Sequence, residues 1–401
     1  MKRTRLPLFI FIDAFGWNVL KAHDFFLADR VRDRRPLRTI LGYSSACDPS
    51  IISGLLPCEH GLWSSFYYSP ATSPFRCLRP LAILPEALFS RARVRHYLSA
   101  AVKRWYGFTG YFQLYAVPFR HLPLFDYSEK KRIWEPHGLP RGQTIFDLLS
   151  AQEARYFVHQ SGAGDERNLA RLTAQAGAGE LDFAYLSLGR LDALMHAVGT
   201  RSAKVTELVR WYDTRLRELL AAAEAAYAEV PWYVFTDHGM HNISATHNLP
   251  ADVDRLGLTF GRDYVAFYDS TMARFWFLTP AARERITAGL AGHPQGRWLA
   301  DEELRQWGVY FPDHQYGEAI FLMRSGVQML PSFMGARFTA GIHGFHPDDP
   351  DSTAAISSNQ PLPATGLASI HDIFSLMLAE TGLTDPRPAF RAGLHPAGSG
   401  L

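Results

Sequence analysis

The chain has 401 residues, 47% hydrophobic and 20% charged, which is enough to bury a sizeable core and is ordinary for a globular protein. A net charge of +2 gives no basis for a nucleic-acid partner, and no segment reaches the roughly 20 apolar residues of a membrane span. The three cysteines, Cys47, Cys58 and Cys77, form no disulfide framework and fit a reducing, cytoplasmic compartment.

The opening MKRTRLPLFIFIDAFGW places basic residues before an apolar run, as a signal peptide does, but the run is only Leu6 to Ile12 and Asp13 ends it. Leu8 to Ile12 is predicted instead as a strand covered on both faces. Asp13 then sits at its C-terminal end, the edge where open α/β sheets bind ligands. Arg38 to Leu41 reads as a second, weaker strand. Ser44 to Ser53 reads as a helix that either Ser44 or Ser45 can cap and that Gly54 stops. Residues 76–140 break this rhythm with closely spaced aromatics (Trp105, Tyr106, Phe108, Tyr111, Phe112 and on to Tyr127), mixed with Arg91, Arg93, Arg95, Lys103, Arg104 and Arg120. They are expected to form an inserted cap. Either its aromatics make a small core of their own, or 91–127 is a lid offering apolar and cationic surface to a lipid-like phosphate ester or, peripherally, to a membrane.

The α/β pattern resumes with a helix near Thr144–Gln152, a strand near Arg155–His159 and an apolar strand, Asp182 to Leu188, followed by Asp192. Lys204 to Tyr227 is a long amphipathic helix. The strand Trp232 to Thr236 ends at Asp237. Met272–Leu278 and Ala319–Met323 read as strands around a helix at Pro280–Leu290, a small α+β insertion spanning 255–335. Residues 338–365 read as a Gly-, Pro- and Asp-rich loop, and Ile370–Glu380 as the closing helix. The expected class is α/β: one catalytic domain over 1–401, its largely parallel sheet covered by helices on both faces, with the cap and the insertion added.

Three aspartates thus follow three apolar strands. Asp192 and His196, four apart, share a helical face. Asp237 and His238 are adjacent and reach one centre only from a tight turn, which Gly239 permits. His343 lies between Gly341 and Gly344. Three aspartates, three histidines and a hydroxyl are a ligand list for two divalent metals and a nucleophile. Mixed His/Asp ligation suits zinc best, with manganese or iron as alternatives.

This ordered set resembles the alkaline phosphatase superfamily, in particular its type I phosphodiesterase/nucleotide pyrophosphatase branch. The stretch from Ser53-Gly54 through Pro57 to His60-Gly61 looks like that branch's Thr-Gly-x-x-Pro-x-x-His-Gly. The resemblance implies an alkaline-phosphatase-like core and a metal-dependent phosphoric ester hydrolase. It implies one metal on Asp192, His196 and His343, and a second on Asp13, Asp237, His238 and the nucleophile. Register against Gly54 selects Ser44 as that nucleophile, with Ser45 one residue off. Ser45 stands where nucleotide-cleaving members carry a base-stacking aromatic, and Ser65 where they carry a phosphate-binding Asn; both are expected substrate contacts. Cys47-Asp48-Pro49-Ser50 invites a sulfatase reading, but Ile51 occupies the place of the sulfatase arginine. Phosphotransfer, phosphomonoester cleavage and a non-catalytic binding protein are the competing readings.

Among the remaining candidates, His60 is expected to shape the loop after the nucleophile helix and His241 to lie at the surface. His247 and His346 are expected either to orient a ligand or to lie at the surface. Asp348, Asp349 and Asp351 read as a solvated loop that could also hold a further cation.

Overall fold

The computed structural model describes residues 3–83 and 91–394. Its centre is a six-stranded sheet in the order Asp33–Leu37, Ala354–Ser358, Trp232–Phe235, Leu8–Ile12, Phe183–Leu188, Tyr156–Val158. Leu8–Ile12 runs parallel to both neighbours, with Ile10 opposite Leu186 on one side and Val234 on the other. A strand in that position has both faces covered and must be apolar throughout, as LFIFI is. Phe9 and Phe11 join Ile51, Phe146 and Phe374 from the helices Ser44–Ser53, Ile145–Ala151 and Ile373–Thr381. Leu8, Ile10 and Ile12 face Leu172, Met195 and Leu216 from Asp165–Gly177, Arg190–Val198 and Ala203–Ala226. The α/β class and helices on both faces follow from that alternation.

The sheet is largely parallel, as expected, with one strand reversed. Ala354–Ser358 runs antiparallel to both of its neighbours. Its sequence, AAISS, is poor in β-formers and sits inside the stretch read as a loop, so local composition hid a buried strand. The strand expected at Arg38–Leu41 lies instead at Asp33–Leu37, an edge position that tolerates Pro36. The closing helix Ile373–Thr381 is preceded by a 3₁₀ turn and followed by a further helix, Arg387–Leu394.

A second, antiparallel sheet has the order Tyr264–Tyr268, Met272–Phe277, Ala319–Met323, Gly296–Trp298. Its helix Pro280–Gly289 starts on a Thr279 cap. In the region expected as a cap, of which 84–90 lie outside the described residues, the helix Ala92–Tyr106 precedes a short strand, Phe125–Tyr127, paired with Phe66–Tyr68. Phe112, Phe119, Phe125 and Tyr127 are buried with Tyr264, Phe267 and Phe275. These aromatics share one core with the second sheet instead of making their own. Tyr97 and Trp105 remain 71% and 84% exposed. Among the described residues no helix is long and apolar enough to cross a membrane.

Candidate active site

The sheet delivers its ligand-type side chains to one edge. Asp13 leaves the central strand with its backbone N–H on Leu188, and Ala14 follows at a φ of +61°. Asp192 and His196 rise from Arg190–Val198, whose first N–H groups, those of Gly189 and Arg190, donate to Asp165. Asp237 and His238 follow the strand Trp232–Phe235. The expected reason for Gly239 was backbone freedom. The structure gives another, since a Cβ there would lie 2.1 Å from the Asp351 carbonyl oxygen, so the chain passes too close for any side chain. His343 comes from the late loop, where Gly344, at a φ of +90°, packs under Tyr43.

The six residues fall into two groups of three, Asp192/His196/His343 and Asp13/Asp237/His238, each with its ligand atoms within 4.8 Å of one another. The groups adjoin, for the His238 and His343 rings stack at 3.7 Å. Hydrogen bonds fix how two of the imidazoles face. His196 Nδ1 lies 2.8 Å from the Gly341 carbonyl oxygen and His238 Nδ1 2.9 Å from that of Gly239. A carbonyl only accepts, so Nδ1 carries a proton and Nε2 is the nitrogen turned inward, the orientation of a metal-binding histidine. Those Nε2 atoms lie 3.3 Å from Asp192 Oδ1 and 2.9 Å from Asp237 Oδ2.

Asp13 Oδ1, Asp192 Oδ1 and Asp237 Oδ2 are buried without a hydrogen-bond partner. Oxygens so placed cost about 1–3 kcal/mol each unless a cation takes them. Burial, then Asp237, Asp192 and Asp48, push the Asp13 carboxyl well above its ordinary range. Burial opposes ionisation of Asp237 as well, but the adjoining His238 reverses the sign and holds it low. His343 is driven well below an ordinary histidine by burial and by the neighbouring His238, His196 and His241, so it is a neutral donor. The crowded carboxylates hold the His196 and His238 imidazoles above their ordinary range while the site is empty, and a divalent cation would take the place of that positive charge; the residues present fit two such ions.

Ser44 is the first residue of its helix. The cap is Tyr43, in extended backbone, and neither serine serves as one, contrary to the sequence reading. Ser44 Oγ is thereby left to the site, 3.4 Å from His238 Nε2. It stands at the positive end of a ten-residue helix, a favourable place for an anion. Ser45 Oγ donates to the Trp63 carbonyl at 3.3 Å. Cys47 is fully buried away from the pocket against Thr39 and Ile40, and burial pushes its thiol well up, which disposes of a sulfatase-like role.

A cavity of about 630 Å³ opens over this edge, lined by Asp13, Ser44, Ser45, Ser65, Asp192, His196 and His343. Its far wall comes from the inserted region: Lys103, Tyr111, Tyr115, Glu129, Arg132 and Trp134. Three lining carboxylates, Asp48, Glu129 and Asp269, escaped the sequence reading. Asp48, one turn after Ser44, has Oδ1 buried without a partner and a carboxyl pushed well up by burial, Asp237 and Glu129. Its i,i+4 spacing from Ser44 was a readable signal. Glu129 accepts from Ser65 Oγ at 2.9 Å and is pushed up to about 7 by burial. No local pattern links it to Ser65, 64 residues away.

The other histidines divide. His60 is fully buried, with Nε2 2.9 Å from Ser50 Oγ and Nδ1 accepting from the Leu62 N–H, so it shapes the loop as expected. His241, expected at the surface, is 3% exposed. His247 meets Asp252 away from this pocket, and His346 packs against Trp307.

The type I phosphodiesterase/nucleotide pyrophosphatase family model matches residues 8–290. No curated protein sequence matches the chain. Murine ectonucleotide pyrophosphatase/phosphodiesterase 5 is similar in structure, with a TM-score of 0.65 at 15% identity over 96% of each chain. An inactive variant of that murine protein in complex with AMP gives the same figures, and the human protein gives 0.65 at 12% identity with the same coverage. That fold carries the edge on which the two ligand groups converge, and divalent-metal dependence is general in the family whose model covers it. The chain belongs to the type I phosphodiesterase/nucleotide pyrophosphatase family of the alkaline phosphatase superfamily, and is a phosphate ester hydrolase.

Proposed function

We propose that this chain cleaves a nucleotide-like phosphodiester or pyrophosphate with Ser44 as nucleophile and two divalent cations, zinc in preference to manganese. One observation carries the reading. Two sets of Asp and His ligand atoms, with the His196 and His238 rings oriented for coordination, flank a serine at a helix N-terminus inside the cavity. Asp192, His196 and His343 would hold one ion, and Asp13, Asp237, His238 and Ser44 the other. Bound there, such ions supply positive charge for a serine alkoxide, the phosphoryl oxygens and the leaving oxygen.

The residues themselves do the rest. Ser44 Oγ forms the new bond to phosphorus as the bond to the leaving oxygen breaks, and the Ser44–Ser53 helix sets its N–H groups toward the transferred group. Water then attacks phosphorus, releases Ser44 and leaves the acid product. Lys103, Arg132 and Trp134 offer charge and a ring face to the remainder of the substrate. An aromatic beyond Ser45 is thus supplied from the inserted region.

A lipid-like ester is the second reading, favoured by one observation. Helix Ala92–Tyr106 turns Lys103 into the cavity while Tyr97 and Trp105 stay exposed. Turnover of dinucleotide, nucleotide-sugar and p-nitrophenyl diesters against monoesters and vesicle-presented esters tests both. Preference for nucleotide diesters supports the first reading, and exclusive turnover of vesicle-presented esters overturns it.

A further inference from the structure

We propose a third divalent-cation site, separate from the catalytic pair, made by His241, Asp349 and Asp351. Their ligand atoms lie within 4.8 Å of one another. One histidine and two aspartates are also the donor set of the Asp13/Asp237/His238 group. What distinguishes this cluster from a solvated acidic loop is His241. Its side chain is 4% exposed and neither ring nitrogen makes a well-aligned hydrogen bond. The ring is wedged against Phe345, 4.7 Å between centroids, and directs Nε2 to within 2.9 Å of Asp349 Oδ1. A buried imidazole whose Nδ1 meets no partner and whose Nε2 meets only a carboxylate of the same cluster is costly unless something binds it. Among the described residues no Lys or Arg pairs with Asp349 or Asp351. Asp349 Oδ1 accepts from the Asp351 N–H, the Asp349 carboxylate also meets the Ser325 hydroxyl, and one Asp351 oxygen accepts from Asn18, which leaves an Asp351 oxygen over for an ion.

A second cluster shows the contrast. His247, Asp252 and His293 also gather, but Arg255 already pairs with Asp252, and His293 Nδ1 accepts from the Gln295 N–H. That acceptor nitrogen puts the proton on His293 Nε2, which faces Asp252 at 3.1 Å. It is a hydrogen-bonded triad whose carboxylate charge Arg255 already balances.

The site has a task in the fold. His241 pairs across a two-residue ladder with Ile342, the neighbour of His343. Asp349 and Asp351 belong to the turn whose Ser352 carbonyl accepts from the Gly239 N–H, next to His238. An ion here ties the turn to the strand between two catalytic-ligand segments, and Asp351 gives it access from solvent.

The test counts ions. Chelated protein is reloaded with Zn²⁺ or Mn²⁺, dialysed and analysed for metal per chain, as wild type and as Asp349→Asn/Asp351→Asn. The expected result is one ion fewer in the variant, with unfolding in chelator unchanged. Equal metal content in the two proteins overturns the proposal. The difference does not depend on how many ions the catalytic groups hold, so it stands even if the catalytic reading fails. Should the double variant fold poorly, Asp351→Asn alone, at an exposed position, should weaken the most loosely held ion at least roughly tenfold in a titration, and an unaltered titration again overturns the proposal.

Discussion

Replacing Arg274 by methionine removes a fully buried guanidinium that fastens the second sheet to the segment after the Ser44–Ser53 helix. Its Nε donates to Asp269 at 2.9 Å, Nη1 to the Phe66 carbonyl at 2.8 Å and Nη2 to Ser64 Oγ at 2.9 Å. It also lies over the Phe267 ring, 4.9 Å from the centroid. Asp269 is 1% exposed, and burial holds its carboxyl above the ordinary value even with Arg274 beside it. Breaking such a pair from one side costs about 3–5 kcal/mol, because a buried charge is stranded. Removing both charges together costs much less. Arg274→Met should therefore lose about 3–5 kcal/mol in equilibrium urea unfolding at pH 8, and Arg274→Met/Asp269→Leu should recover most of it. The loss has a sign with pH. A folded carboxyl with a raised pKa is unpenalised below its unfolded value near 3.8 and loses stability as pH rises through the folded one, so the single variant should be least impaired near pH 4. Additive losses in the double variant, or a single-variant loss that does not vary with pH, would refute the reasoning.

Glu129→Gln should flatten a second pH dependence. Its carboxyl is pushed up to about 7, so the wild type loses stability as pH rises from about 4.5 through 7. The variant should match wild type at pH 5 and melt higher above pH 7.5; equal melting at both ends would contradict this. Chelation should abolish ester turnover and lower the melting temperature more at pH 8 than at pH 5, since the raised Asp13 carboxyl is penalised only once ionised. Differential scanning fluorimetry with and without chelator checks the sign. Gly239→Ala should fail to accumulate as folded protein, because its Cβ would meet the Asp351 carbonyl at 2.1 Å, and a soluble variant with wild-type melting would show that the turn can yield.

The sequence made the core strands legible wherever burial on both faces demands a continuous apolar run, as at Leu8–Ile12, Phe183–Leu188 and Trp232–Phe235. It hid Ala354–Ser358 because pairing with two ready-made neighbours, not the propensity of Ala and Ser, makes that strand. The six ligand-type residues were readable from their attachment to strand ends and from i,i+4 spacing, together with the resemblance carried by Gly54 to Gly61. Their division into two facing groups needed the fold, for His343 reaches Asp192 from 151 residues away. The cavity's far wall was not readable. Glu129 and Lys103 arrive on an insertion whose placement is decided by aromatic packing against the second sheet. His241 was misjudged because its burial comes from Phe345 and the late turn, which no local pattern announces.

The nucleophile is the point on which the account turns. Ser44→Ala and Ser45→Ala can be compared on one activated phosphodiester under saturating Zn²⁺, with metal content and melting temperature held equal to wild type. Loss of kcat by roughly 10⁴-fold or more in Ser44→Ala, with Ser45→Ala within roughly tenfold of wild type, is the predicted result. Retained turnover in Ser44→Ala, or loss confined to Ser45→Ala, would contradict it.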